Sequence, residues 1–101
     1  MAKKIYVVRW LKRIDGEEEC GNFATCYTDE ARARKAMLED YEYTYRDWLF
    51  STEDKDTVKR LTMGPNRSDD PDTADYAGVW VEDNDTYDYH DWWIDKLDLE
   101  D

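Results

Sequence analysis

Histidine, cysteine, proline and glycine are scarce in this chain of 101 residues, which holds one, two, two and four of them. With His90 as its one imidazole, the chain has no catalytic arrangement that needs a second. The glycines, Gly16, Gly21, Gly64 and Gly78, are too dispersed to form a phosphate-cradling loop. Cys20 and Cys26 would lie ~20 Å apart along one extended strand, well beyond the ~7 Å Cα separation that a disulfide spans, so they read as free thiols. A zinc site would need closer spacing and more histidine or cysteine. No apolar run approaches the roughly 18 residues needed to cross a bilayer. Met1–Lys4 followed by Ile5–Leu11 is interrupted by Arg9 and lacks a small-residue cleavage site, so it reads as a strand rather than a signal peptide. These features point to a cytoplasmic protein.

Cations are missing from the last third. Residues 69–101 carry 13 Asp/Glu and only Lys96, whereas residues 1–68 balance 13 against 13, so the acidic third holds the whole net charge of −12. Such a field attracts cationic surfaces and repels nucleic acids and anionic membranes, which excludes direct binding to either. Arg32, Arg34 and Lys35 form a small basic patch, but Asp29, Glu30, Glu39 and Asp40 surround it.

What is abundant is aromatic: five Trp and eight Tyr. Each removes about 150–250 Å² from water when buried, enough to build a core from few residues, and the length suits a single domain over 1–101. Within it, 1–68 reads as a charge-neutral β-β-α scaffold and 69–101 as an acidic loop plus a C-terminal hairpin. Lys4–Ile14 is rich in β-formers and apolar on both faces, which predicts a central strand covered on both sides. Asp15-Gly16 signals a tight turn, Glu17–Glu19 a solvated loop, and Cys20–Tyr27 a second strand. Thr28 suits a helix N-cap, and the helix to about Leu49 presents Met37, Leu38, Tyr41, Tyr45, Trp48 and Leu49 on one side. Tyr43 and Phe50, with Ala36, form a second stripe on the other side. Over Ser51–Met63, Ser51 with Asp54 resembles a capping box and favours a short helix, with an edge strand over Thr57–Met63 as the alternative. Asn66–Asp75 has loop chemistry; strands follow over Tyr76–Glu82 and Tyr89–Leu99, joined by a turn at 83–86, the last strand with a bulge near Asp95-Lys96. The expected fold is α+β: a four-stranded antiparallel sheet in the order β-β-α-(α)-β-β with one long helix on one face.

Nothing in this pattern assembles a catalytic centre, and the chain reads as non-enzymatic, with no cofactor. His90 between Asp88 and Asp91 is expected on a solvated acidic surface, facing away from Asp91. Asp83, Asp85 and Asp88 fail the calcium-loop pattern, because the sixth and twelfth positions counted from Asp83 are Asp88 and Ile94 rather than Gly and Glu. A loose calcium site in 69–75 defines a metal-responsive module as a third reading.

The physical account that uses the acidic third is nucleic-acid mimicry. Carboxylates on alternate strand residues recur every ~6.6 Å, with a second row ~4.8 Å away on the neighbouring strand, a density of the same order as DNA phosphates. The candidate partner-binding residues are Asp69, Asp70, Asp72, Asp75, Glu82, Asp83, Asp85, Asp88 and Asp91, with Tyr87 and Tyr89 offering stacking surface to arginine.

The layout KKIYVVRW, a turn and strand into TDEARARKAMLEDYEYTY, and an acidic hairpin ending in WWIDKLDLED resembles small acidic phage- and prophage-encoded anti-defence proteins of the anti-CRISPR kind. The resemblance covers most of the chain and is one of layout and composition. It implies a stoichiometric protein inhibitor, acting in a bacterial host cell, that occupies the cationic DNA- or guide-binding groove of a defence nuclease. The alternative is a small cytosolic interaction or assembly subunit, dimerising or docking through Tyr43 and Phe50 or through a sheet face bearing Tyr6, Trp10 and Trp80.

Overall fold

The computed structural model describes residues 3–65, 71–82 and 88–99. The fold is α+β: one long helix and a five-stranded antiparallel sheet. The strands are β1 (Lys3–Ile14), β2 (Glu17–Asn22), β3 (Val58–Met63), β4 (Tyr76–Val81) and β5 (Tyr89–Leu99), arranged β2-β1-β5-β4-β3. The first and last strands therefore pair in the middle, in unbroken register from Lys3↔Leu99 to Arg13↔Tyr89.

The β1–β2 connection is a two-residue turn, with Asp15 at φ 52° and Gly16 at φ 82°. Two successive left-handed residues match the right-handed twist of the strands, the reason Asp-Gly favours this hairpin. Glu17–Glu19 lie in β2 itself, where exposed carboxylates on an edge strand discourage pairing with another chain. The second strand thus starts earlier than expected and breaks after Asn22; the chain rejoins β1 at the isolated Tyr6↔Tyr27 bridge.

Helix α1 spans Glu30–Ser51. Its N-cap is Asp29 rather than Thr28: the Asp29 side chain accepts the Ala31 N–H at 2.9 Å. Met37 and Tyr41 are buried, while Leu38, Tyr45, Trp48 and Leu49 pack against the core at its margin, as the helical spacing requires. The opposite stripe is open to solvent, with Tyr43 at 71% and Phe50 at 88% exposure. Arg34 fastens the helix to the segment before β4, donating from Nε to the Ala74 carbonyl at 2.8 Å.

The fifth strand corrects the short helix expected over Ser51–Met63. Only one 3-10 turn forms, Lys55–Thr57, capped by the Asp54 carboxylate; Ser51 ends α1 instead of starting a capping box. Thr57, Val58 and Thr62 are β-branched and lose rotamer freedom in a helix. As β3, Val58 is buried, and Arg60 lies 4.2 Å over the Tyr45 ring while reaching Glu42 on α1. No bulge interrupts β5 near Asp95-Lys96; the apparent slip in its pattern arises because Asp95 pairs with Arg9 and Lys96 with Glu30.

Alternation along the strands assigns the sheet two faces. Val8, Ala77, Val79, Trp92 and Ile94 form the core under α1, with Trp92 fully buried and its indole N–H donating to Asp40 Oδ2 at 2.8 Å. The other face, carrying Leu11, Tyr76, Trp80, Tyr89 and Trp93, has no helix over it among the described residues. Helix α1 covers only the Tyr6, Val8 and Trp10 side of β1; on the other face Val7 is still buried, at 5% exposure, while Arg9 and Leu11 are partly exposed. Tyr6 and Trp10 belong to the helix side, opposite Trp80, so those three do not share a surface.

Candidate functional site

Cross-strand register fixes what the open face presents. Leu11, Asp91, Gly78 and Leu61 lie in one row across β1, β5, β4 and β3. The next row towards the β1–β2 turn reads Glu18, Arg13, Tyr89, Trp80 and Lys59, and the row on the other side Asn22, Arg9, Trp93, Tyr76 and Met63. Gly78 leaves a gap at the middle of this array. A Cβ there would stand 2.8 Å from the Tyr76 hydroxyl and 3.0 Å from Asp91 Oδ1, so only glycine lets Tyr76 fold across β4 to reach Asp91. The result is a cleft of about 360 Å³ lined by Leu11, Leu61, Tyr76, Trp80, Tyr89 and Asp91.

Each of three aromatic side chains of this face donates to a carboxylate. Tyr76 OH donates to Asp91 Oδ1 at 2.8 Å, Trp80 Nε1 to Glu82 Oε1 at 3.3 Å, and Tyr89 OH to Glu18 Oε2 at 3.4 Å. The rings are thereby oriented, with Asp91 among them and Glu18 and Glu82 exposed at the margin. Burial pushes the Asp91 carboxyl above its usual value, partly offset by the hydrogen bond from Tyr76. Among the described residues the ion pairs are Arg9–Asp95, Lys12–Glu19, Arg34–Glu30, Lys96–Glu30 and Arg60–Glu42; none of them involves Asp91.

The residues expected to bind a partner are distributed over several places. Tyr89 and Asp91 meet in the cleft, and Glu82 joins them through Trp80. Asp88 lies at the β1–β2 turn, where its Oδ1 accepts the Asp15 N–H at 3.1 Å. Asp75 sits between strands, its backbone bonded to Met63 and Ile94. Asp72 borders a larger hollow of about 690 Å³ along the outer side of α1, beside Arg34, Lys35, Arg46 and Glu39. That hollow carries both signs and presents no single charge to complement. Asp69, Asp70, Asp83, Asp85 and Tyr87, and the turn at 83–86, lie outside the described residues.

His90 does face away from Asp91, but it is not on a solvated acidic surface. Its ring stacks on Trp92 with centroids 3.8 Å apart and meets the edge of Trp10 at 5.9 Å. Burial lowers its pKa to about 4, with nearby Lys12 acting in the same direction against Asp40. It is neutral at pH 7, and among the described residues no group of three or more His, Cys, Asp or Glu is placed to hold a metal. Cys20 and Cys26 are free and exposed.

Residue-type reasoning did not reach Leu11, Leu61 or Tyr76 as parts of this cleft, nor Glu18 as the acceptor for Tyr89. A glycine in the middle of an otherwise apolar strand, Gly78, was the available signal. Comparison with family models, curated proteins and solved structures finds no match to this chain. No helix among the described residues is long and apolar enough to cross a membrane.

Proposed function

We propose that this chain is a non-catalytic binding protein that docks the cationic surface of another protein through the open face of its sheet. The observation that carries the reading is the Gly78 cleft, where aromatic rings surround an acid that lacks a cationic partner among the described residues. Desolvated aromatic anchors ringed by polar groups are the usual energetic centre of a protein interface. The net charge of −12 supplies long-range attraction for a basic partner, raising its association rate and making affinity fall with salt. Inhibition of a nucleic-acid-binding defence effector is the narrower form of this proposal, with the partner's nucleic-acid groove as the basic surface. In that form the cleft, more than a row of phosphate-like carboxylates, makes the central contact.

Site-specific photo-crosslinking in a lysate of the producing organism tests the reading. A photoreactive residue replacing Leu61, on the open face, is expected to capture a basic protein at low salt and to lose it at high salt. The same group at Phe50, on the helix side, is expected to capture none. Salt-insensitive capture, or capture from Phe50 alone, would overturn the proposal.

A further inference from the structure

We infer that the cleft over Gly78 is the receptor for one arginine side chain of that partner, an inference that rests on the docking reading above. The cavity is of side-chain size, about 360 Å³, and its walls are Trp80, Tyr76 and Tyr89. Aromatic faces attract a cation through their quadrupoles, most strongly for tryptophan. Asp91 lies in the same cavity, and an apolar occupant would strip water from this carboxylate without supplying a counter-charge. A cation answers both features at once.

Among cations, guanidinium fits best. It is planar, stacks on aromatic rings, sheds water more readily than an ammonium, and donates in a fork that matches a carboxylate. A second copy of this chain is a poor occupant, because two bodies of net charge −12 repel. Of the cations in the adjoining rows, Arg9 is paired with Asp95, and among the described residues neither Arg9 nor Arg13 forms an ion pair with Asp91. Lys59, across from Trp80, lies at the outer edge of the array and is exposed.

The test is an NMR titration of the folded full chain with N-acetyl-arginine methylamide, read at the Trp80 indole N–H. Its controls are the lysine and citrulline analogues and tetramethylammonium. The expected result is a saturable Trp80 shift at the lowest concentrations for the arginine probe, with citrulline at least about tenfold weaker for want of charge. Affinity should rise with pH through the Asp91 titration. The charged and titratable groups on the face of Asp91 are Arg9 and Arg13 from β1, Glu18 and Cys20 from β2, Lys59 from β3, Tyr76 from β4, and Tyr89 and Asp95 from β5. Asp91→Asn keeps the volume and an acceptor for Tyr76 and should weaken the arginine probe about tenfold while abolishing the rise with pH. Should that variant not fold, Tyr89→Leu removes a π face at similar volume and should weaken binding several-fold.

Equal binding of arginine and citrulline, or preference for tetramethylammonium, would overturn the assignment. So would an undiminished response in a folded Asp91→Asn chain. Refusal of the arginine probe while the Leu61 crosslink persists overturns the receptor and leaves the docking reading standing; loss of both removes both.

Discussion

The two faces of this sheet have similar raw material and different fates. Under α1, Trp92 is fully buried and its N–H is satisfied by Asp40, a residue of the helix that covers it. On the open face, Trp80 and Tyr89 are only half-buried, and their polar tips are satisfied by Glu82 and Glu18 from the sheet itself and its margins. On the first face aromatic area stabilises the fold; on the second it stays available while its rings are held in place. The difference lies in where the covering element sits, and α1 packs across β1, β3, β4 and β5 on one side only.

The widest gap between the faces should appear in stability. Trp92→Ala empties a fully enclosed site and is expected to cost about 3–5 kcal/mol, whereas Trp80→Ala, which removes a half-buried ring, should cost about 2 kcal/mol or less. Urea unfolding followed by circular dichroism measures both; equal costs would break the distinction between a structural and an available face.

Acid should separate the faces next. His90, on the helix side, has a folded pKa of about 4, below the unfolded value near 6.5, so the unfolded chain binds more protons between those values. Its contribution is present above pH 6.5 and is lost as pH falls towards 4. With its partial exposure discounted, the loss is on the order of 1–2 kcal/mol. His90→Phe should flatten that part of the stability–pH curve; an unchanged slope would remove the histidine from the account.

Gly78→Ala tests the floor of the cleft. The new methyl group displaces the Tyr76 hydroxyl from Asp91, at a cost of about 1 kcal/mol, and fills the gap between the rows. Partner capture from position 61 should fall with it.

The smallest effect belongs to the helix stripe. Phe50→Ser should change stability by no more than about 0.5 kcal/mol and leave the mass in light scattering unchanged. A variant that converted a dimer to a monomer would shift the interface to Tyr43 and Phe50.

Much of this architecture was legible in the residues. Asp15-Gly16 marked its turn, the spacing of Met37, Tyr41 and Trp48 marked the buried side of α1, and Val79 and Val81 alternated with Trp80 as β4 requires. β3 was legible only as the alternative reading, an edge strand over Thr57–Met63, because what selects it over a short helix is its pairing with β4 and Arg60 on the helix, both remote in sequence. The cap moved by one residue because Thr28 and Asp29 offer similar chemistry, and tertiary position selected Asp29. The cleft was hidden for a related reason. Acidity drew attention to Asp88 and Asp91 together, yet register turns Asp91 towards Gly78 and Tyr76 while Asp88 closes on the β1–β2 turn. Apolarity on both faces of β1 could not say which one α1 would cover.

The most direct measurement of the central claim is partner affinity for three chains, namely wild type, Trp80→Ala and Phe50→Ala, each at low and moderate salt. The account predicts that Trp80→Ala weakens binding at least about tenfold, that Phe50→Ala matches wild type, and that every affinity falls as salt rises. Undiminished binding by Trp80→Ala, with loss in Phe50→Ala, would contradict it and place the interface on the helix.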